Sequence, residues 1–186
     1  MRLDYVPNPP AGLDPEDEGI VERIKARRGA RGLITLDLTL LHAPKIAGGW
    51  NALMGAIRTQ TSIPDDIREI IICRVALINR AWVEWNVHTG ILLASSGFTE
   101  EKLAVVQELS PLSQGTLDDR QWVVLRFTDA MTREVVVPQD LFDEVKAAGF
   151  GNREIVELTA AVASYNMVSR FIVALDIAES NDKAPG

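Results

Sequence analysis

Glu84 and His88 stand four residues apart in the stretch "NRAWVEWNVH", residues 79 to 88 of a chain that has only two histidines. On a helix such a pair lies on one face, about 6 Å apart along the axis, close enough to share a proton or a substrate. Imidazole titrates near neutrality, and a carboxylate beside it can fix its tautomer or carry the proton itself. A Glu-His pair at this spacing also fits a half-buried packing contact, so the pair alone does not define a site. A third group enters on counting back, where the pattern reads Glu69-x11-Ala81-x2-Glu84-x3-His88.

The elements that must position these groups read as helices throughout. Asp14 caps a helix that begins at Pro15, has acids in its first turn and ends in "KARR" before Gly29. "ITLDLTLLHA" mixes β-branched residues with leucines, but Leu33, Leu36, Leu40 and Leu41 recur at helical spacing. In "PKIAGGWNALMGAIRT" the residues Ile46, Trp50, Leu53, Met54 and Ile57 form one expected apolar stripe, and Gly48-Gly49 permits close approach of another element. "SIPDDIREIIICRVALI" and "RAWVEWNVHTGILLASSG" follow as one kinked helix or two abutting ones, with Asn79 at the break. Thr99 caps "TEEKLAVVQEL", Pro111 is expected to end it, and three more helical segments reach residue 179. Only "EVVVP" suggests a strand, and a lone strand has nothing to pair with. The fold class is all-α, a single-domain multi-helix bundle over residues 14 to 180, with an extended proline-rich arm at 1 to 13 and a tail at 181 to 186.

Composition narrows the partners. A formal net charge of -7 argues against nucleic acid and anionic membrane surfaces, which demand basic protein faces. The N-terminal stretch has no apolar core of a signal peptide, and no apolar run is expected to span a bilayer. Cys73 is the sole cysteine, so neither an intrachain disulfide nor a Cys-x-x-Cys pair exists, which fits a cytoplasmic setting. It reads as a small core residue.

The order and spacing of "RRGARGLITLDLTLLHAPKIAGGWNALMGAIRT", "IREIIICRVALINRAWVEWNVH", "GFTEEKLAVV" and "YNMVSRFIVAL" resemble the carboxymuconolactone decarboxylase and alkylhydroperoxidase D superfamily over roughly residues 27 to 178. The peroxidase branch of that superfamily carries Glu-x11-Cys-x2-Cys-x3-His, and Ala81 and Glu84 stand here in place of its two cysteines. The resemblance implies an all-helical homo-oligomer, a trimer or hexamer, with the site between helices near a subunit boundary. It also implies a small-molecule substrate and a reaction that needs neither cofactor nor metal.

The departure from the motif decides the expected chemistry. A thiol peroxidase needs one thiolate to attack peroxide and a second thiol to resolve the sulfenic acid, and alanine and glutamate supply neither. The expected function is therefore a carboxymuconolactone decarboxylase-like carboxy-lyase, acting by proton transfer on a small unsaturated lactone or carboxylic acid. In that scheme His88 is the proton donor, Glu84 its orienting partner or shuttle, and Glu69 a supporting carboxylate or general base. Trp50, Arg74 and Tyr165 are the expected substrate-binding residues: tryptophan as a wall for a flat ring, arginine as a carboxylate clamp, tyrosine as a polar group amid apolar neighbours. Each has a structural alternative, core packing for Trp50, an ion pair for Arg74 and a helix tie for Tyr165. His42 reads as a packing or capping residue and Arg170 as structural. A metal held by Glu84 and His88 with Glu69 or His42 is a weaker alternative, because the duplicated Glu-x-x-His pattern of di-metal bundles is missing. A non-catalytic oligomer that binds a small apolar ligand is the competing function.

Overall fold

The computed structural model describes residues 1–184, and among them every regular element is helical. Pro185 and Gly186, the end of the expected tail, lie outside the described residues. The chain groups into two compact units, residues 1–60 with 175–179, and residues 61–174 with 180–186.

In the first unit, α1 (Pro15–Arg28) is capped as its sequence demands: Asp14 accepts from the Asp17 amide, and Gly29 ends the helix at φ 61°. α2 (Thr35–Leu40) is a short helix, as the leucine spacing indicated. Its Asp37 is almost fully buried and is matched by Arg28, whose Nε and Nη2 donate over 2.8 and 2.7 Å. α3 (Pro44–Thr59) buries Ala47, Trp50, Met54 and Ile57. Ile46 and Leu53, expected on the same stripe, are instead 61% and 43% exposed. These two lie seven apart and form the edge of the apolar arc, while the 47/50/54/57 row is its centre. Gly48 is where α1 comes close, since an added Cβ would sit 3.4 Å from Ile20. The proline-rich arm is tied down within this unit: the Arg2 amide donates to the Leu175 carbonyl, and the Val6 amide to that of Leu38.

The second unit is built around α4 (Asp65–Ile78), which packs against α5 (Trp82–Leu93), α6 (Glu100–Gln107) and α7 (Asp119–Arg133). Every residue of α4 from Glu69 to Leu77 is buried, which explains why "EIIICRVAL" has no polar face: a helix surrounded on all sides needs none. Its N-terminal turn is linked to α7, whose Gln121 completes a capping box with Asp118 and also donates to Asp66 over 2.8 Å. α6 starts at the threonine cap but ends at Gln107, short of Pro111. α8 (Gln139–Ala147) packs on α7.

α4 and α5 are two helices, separated by a corner in which Arg80 adopts φ 57°. The Ala81 amide reaches back to the Ala76 carbonyl over 2.8 Å and the Arg80 amide to that of Leu77, so the corner closes the free carbonyls of α4. Asn79 fixes it to α9 (Asn152–Leu175) by donating to Asn166 Oδ1 and Ser169 Oγ over 3.0 and 2.7 Å. Asn166 in turn donates to Thr132 of α7. α9 is long and apolar enough to cross a membrane by length and composition, contrary to the sequence expectation. Half of that window is buried, and its buried Ser164, Tyr165 and Ser169 mark it as a core helix that carries polar ties.

"EVVVP" forms no strand. It is the α7–α8 connection, with Val135 held at φ 67° and 80% exposed. A β-branched residue in the left-handed region costs about 1–2 kcal/mol relative to ordinary backbone, part of which glycine regains despite its more flexible unfolded chain. Val135→Gly is expected to stabilise the fold by about 0.5–1 kcal/mol, read as a rise of a few degrees in Tm; a fall in Tm would show that the Val135 side chain holds the connection.

Candidate active site

Glu69, Glu84 and His88 meet in the second unit, although 11 residues and a helix corner separate Glu69 from Ala81. Glu69 projects from α4 and has no exposed surface. His88 projects from α5 and is 3% exposed. Its Nδ1–H donates to Glu69 Oε2 over 2.5 Å, and its Nε2 stands 3.2 Å from Glu84 Oε2 one turn earlier on the same helix. The imidazole is thus clasped at both nitrogens by carboxylates. Tyr165 of α9 meets the ring edge-on, with centroids 5.9 Å apart and planes at 78°.

The three groups differ in access. Glu69 and His88 are sealed, whereas the Glu84 side chain keeps 18% of its surface. Glu84 sits in the first turn of α5, where the helix dipole favours a negative charge. It is the member through which the cluster meets its surroundings.

Burial on its own would lower the His88 pKa, but the hydrogen bonds from Glu69 and Glu84, reinforced by their charges, outweigh it and raise the group above its usual 6.5. The ring therefore holds its proton to higher pH than a free histidine. Because the two carboxylates approach opposite ring nitrogens, they do not converge on one point where an ion could take His88 as a ligand beside both. Among the described residues no group of three or more His, Cys, Asp or Glu side chains is placed to hold a metal ion.

Cys73 lies one turn along α4 from Glu69 and is fully buried in the apolar cluster with Ile70, Ala81 and Trp85. Burial, then the charges of Glu69 and Glu84, push its thiol well above the ordinary range, with Arg74 opposing. Such a thiol is neither accessible nor ionised, which removes the thiolate a peroxidase requires.

Arg74 does not join the cluster. Its side chain has no exposed surface; Nε and Nη2 donate to Asp129 over 2.8 and 2.5 Å, and Nη1 donates to the carbonyls of Val106 and Glu108. It closes the end of α6 and binds it to α7, the ion-pair use weighed against a substrate clamp. Trp50 is buried in α3 of the first unit. His42, also there, bonds the Asp4 carbonyl through Nε2 over 2.7 Å, and Arg170 bonds Asn166 on its own helix. The residue that sequence reasoning passed over is Arg68. Its Nε lies 3.4 Å from Glu69 Oε1, the carboxylate oxygen that does not meet His88, and its Nη2 forms an ion pair with Asp65 at 2.8 Å. The available signal was its position directly before Glu69, overshadowed by Arg74 in the apolar run.

The fold and cluster together define an all-helical protein with a carboxylate–imidazole–carboxylate relay in place of a thiol pair. Residues 44–112 match the profile of the Carboxymuconolactone decarboxylase family, a span that contains all three groups. The matched segment and the fold are thus like those of carboxymuconolactone decarboxylase and alkylhydroperoxidase D-like proteins, here without a Cys-x-x-Cys pair. No curated protein matches the sequence. Among solved structures, it is similar to an uncharacterized peroxidase-related protein from Silicibacter sp. TM1040, with TM-score 0.75, 19% identity and coverage of 97% of this chain and 94% of that one. A peroxidase-related protein from Ralstonia eutropha JMP134 with an alkylhydroperoxidase AhpD core gives TM-score 0.69, 17% identity and coverage of 89% and 85%. A cysteine-to-alanine variant of the debrominase Bmp8, in complex with 2,3,4-tribromopyrrole, gives TM-score 0.68, 17% identity and coverage of 94% and 92%. At these identities the likeness is one of fold.

Two measurements test the site's electrostatics. Replacing Glu69 by Gln removes the first of the two partners that raise His88, so the His88 imidazole midpoint, followed by NMR, should fall; an unmoved midpoint would deny the Glu69 contact. Because the folded His88 pKa lies above its usual value, the stability it contributes is complete below about pH 6.5 and is lost as pH rises through the raised midpoint. Wild type should therefore lose Tm across that window in excess of any loss by His88→Gln. Separately, Arg74→Met should destabilise by about 3–5 kcal/mol in denaturant titration, since it strands Asp129 and the end of α6; a change under about 1 kcal/mol would make the pair dispensable.

Proposed function

We propose that the protein is a cofactor-independent lyase or isomerase of the carboxymuconolactone decarboxylase type, acting by proton transfer on a small unsaturated lactone or carboxylic acid. The observation that carries this reading is the convergence of Glu69, His88 and Glu84 into one hydrogen-bonded line whose outer member is by far the most exposed. The roles follow from access. Glu84 is the group that gives or takes the proton at substrate carbon. His88 is its reservoir: the imidazolium passes the Nε2 proton to Glu84 and recovers it. Glu69 accepts from Nδ1, holds the ring's orientation and balances its charge, as the buried carboxylate does in an acid–base triad. This assigns to Glu84 the contact with substrate that the sequence alone suggested for His88, because both ring nitrogens are occupied and the ring is sealed.

For a lactone acid, loss of carbon dioxide from the γ-carbon sends the bond's electron pair through the ring into the lactone carbonyl, giving an oxyfuran-like enolate. Protonation at carbon by Glu84 then completes the reaction, with the substrate as its own electron sink. The absence of a usable thiol supports this chemistry over peroxide reduction. The bound tribromopyrrole of the debrominase variant belongs to that protein, and supports here only the idea that this architecture can accommodate a small flat ring. An assembly of several copies, a trimer or hexamer, belongs to the same proposal.

Screening small lactones and unsaturated carboxylic acids by mass spectrometry is the test. A true substrate should give a product that gains one deuterium at carbon in D2O. Glu84→Gln and His88→Gln should each lower turnover by about 10²–10⁴-fold without unfolding the protein. Turnover unaffected by Glu84→Gln would overturn the assignment.

A further inference from the structure

An acid–base group that works on a carboxylate needs a cation beside it to seat that carboxylate, and Arg74 is fully engaged elsewhere. The cation adjoining the relay is Arg68. Its Nε faces Glu69 Oε1 at 3.4 Å, and Glu69 Oε2 carries the His88 contact at 2.5 Å, so one carboxylate separates the guanidinium from the imidazole. Of the five N–H donors of the guanidinium, only the Nε–H makes a hydrogen bond among the described residues, to Glu69; Nη2 forms an ion pair with Asp65 at 2.8 Å, and Nη1 makes no hydrogen bond. Burial of the Arg68 side chain to 11% exposure and of Glu69 to none makes the inner contact durable. The outer contact is different. Asp65 is 78% exposed, three residues earlier on the same helix, and an exposed pair of that kind contributes little.

We propose that Arg68 is the carboxylate-binding residue of this site and that Asp65 is its exchangeable resident partner. The proposal rests on the proton-transfer reading for its substrate class, a small flat-ring carboxylate. Binding is an exchange of one carboxylate for another: Asp65 turns into solvent, and the incoming carboxylate takes the Nη1–Nη2 fork with two parallel hydrogen bonds. Local charge is conserved in the exchange, so the carboxylates of Glu69 and Glu84 do not repel the newcomer more than they repel Asp65. Two charge-assisted hydrogen bonds replace a single exposed ion pair, which favours the substrate. The anchored end of the ligand then lies beside Glu69, the inner member of the cluster.

The probe is 2-furoate, a planar five-membered-ring carboxylate, with 2-furamide as its uncharged counterpart. Calorimetry gives the affinity, and the imidazole resonances of His42 and His88, the only two histidines, report the place. Furoate should bind wild type and shift His88 while furamide does neither. Arg68→Gln should weaken furoate by about tenfold or more, equivalent to about 1.4 kcal/mol, and Arg68→Lys, which keeps charge but loses the fork, by less. Asp65→Asn, which removes the competing carboxylate, should tighten it by about 2–5-fold. If Arg68→Gln does not fold, as judged by its thermal transition, Asp65→Asn decides alone. The proposal is overturned by no furoate binding up to about 50 mM, by equal affinity in Arg68→Gln, or by unchanged or weaker affinity in Asp65→Asn. Turnover has no part in this measurement. Failure of the proton-transfer reading appears as activity indifferent to Glu84→Gln, and failure of the Arg68 proposal as binding indifferent to Arg68.

Discussion

The bond between the Glu69 carboxylate and His88 Nδ1 is the constraint around which the second unit is arranged. An ionised carboxylate without solvent contact is expensive unless positive charge and hydrogen bonds surround it. Here the imidazole supplies one side and Arg68 the other. The same bond fixes which ring nitrogen faces Glu84, so the orientation of the cluster is decided in the core and expressed near the surface. Around it α4 is buried on every side, which makes Glu69 a fixed point rather than a mobile surface acid.

A second polar network keeps α5 where that bond requires it. The Asn79 clasp to Asn166 and Ser169 joins the α4–α5 corner to α9, the helix that also brings Tyr165 against His88. The carboxylate of Glu69 therefore faces an imidazole whose backbone, neighbouring ring and opposite nitrogen are all positioned by different elements. Arg74 plays the corresponding part at the opposite side of α4, gathering α6 and α7 through Asp129 and the carbonyls of Val106 and Glu108. Each network satisfies polar groups that are wholly or partly withdrawn from water.

Much of the helical order was legible in the sequence. The Asp14–Pro15 start, the Pro44 start and the Thr99 cap are local signals, and local chemistry settles them. The leucine spacing around Leu36 and Leu40 was enough to choose helix over strand. What failed depended on neighbours. Ile46 and Leu53 look like stripe residues until the centre of the stripe is known. The length and hydropathy of α9 came from serving as a core helix, a role that composition does not separate from membrane spanning. In the site, the spacing of Glu69, Glu84 and His88 was readable because two of the three share one helix face. Which of them is accessible was not readable, since access depends on packing against α4 and α9. Arg68 and Arg74 illustrate the same limit: they are chemically identical and six residues apart, and only burial and partners distinguish a helix fastener from a cation beside the relay.

The corner at Arg80 has a consequence for how this architecture can change. Its left-handed residue turns the chain between two helices whose facing groups must meet within hydrogen-bond distance. Adding or deleting one residue there would rotate α5 by about 100° about its own axis and carry the imidazole off the α4 face. Side-chain identity at the corner is negotiable, glycine or asparagine being natural occupants of that backbone, but its length is not. Sequence variation is thus channelled to the groups bordering Glu84, while the interval between the two helices stays fixed by geometry.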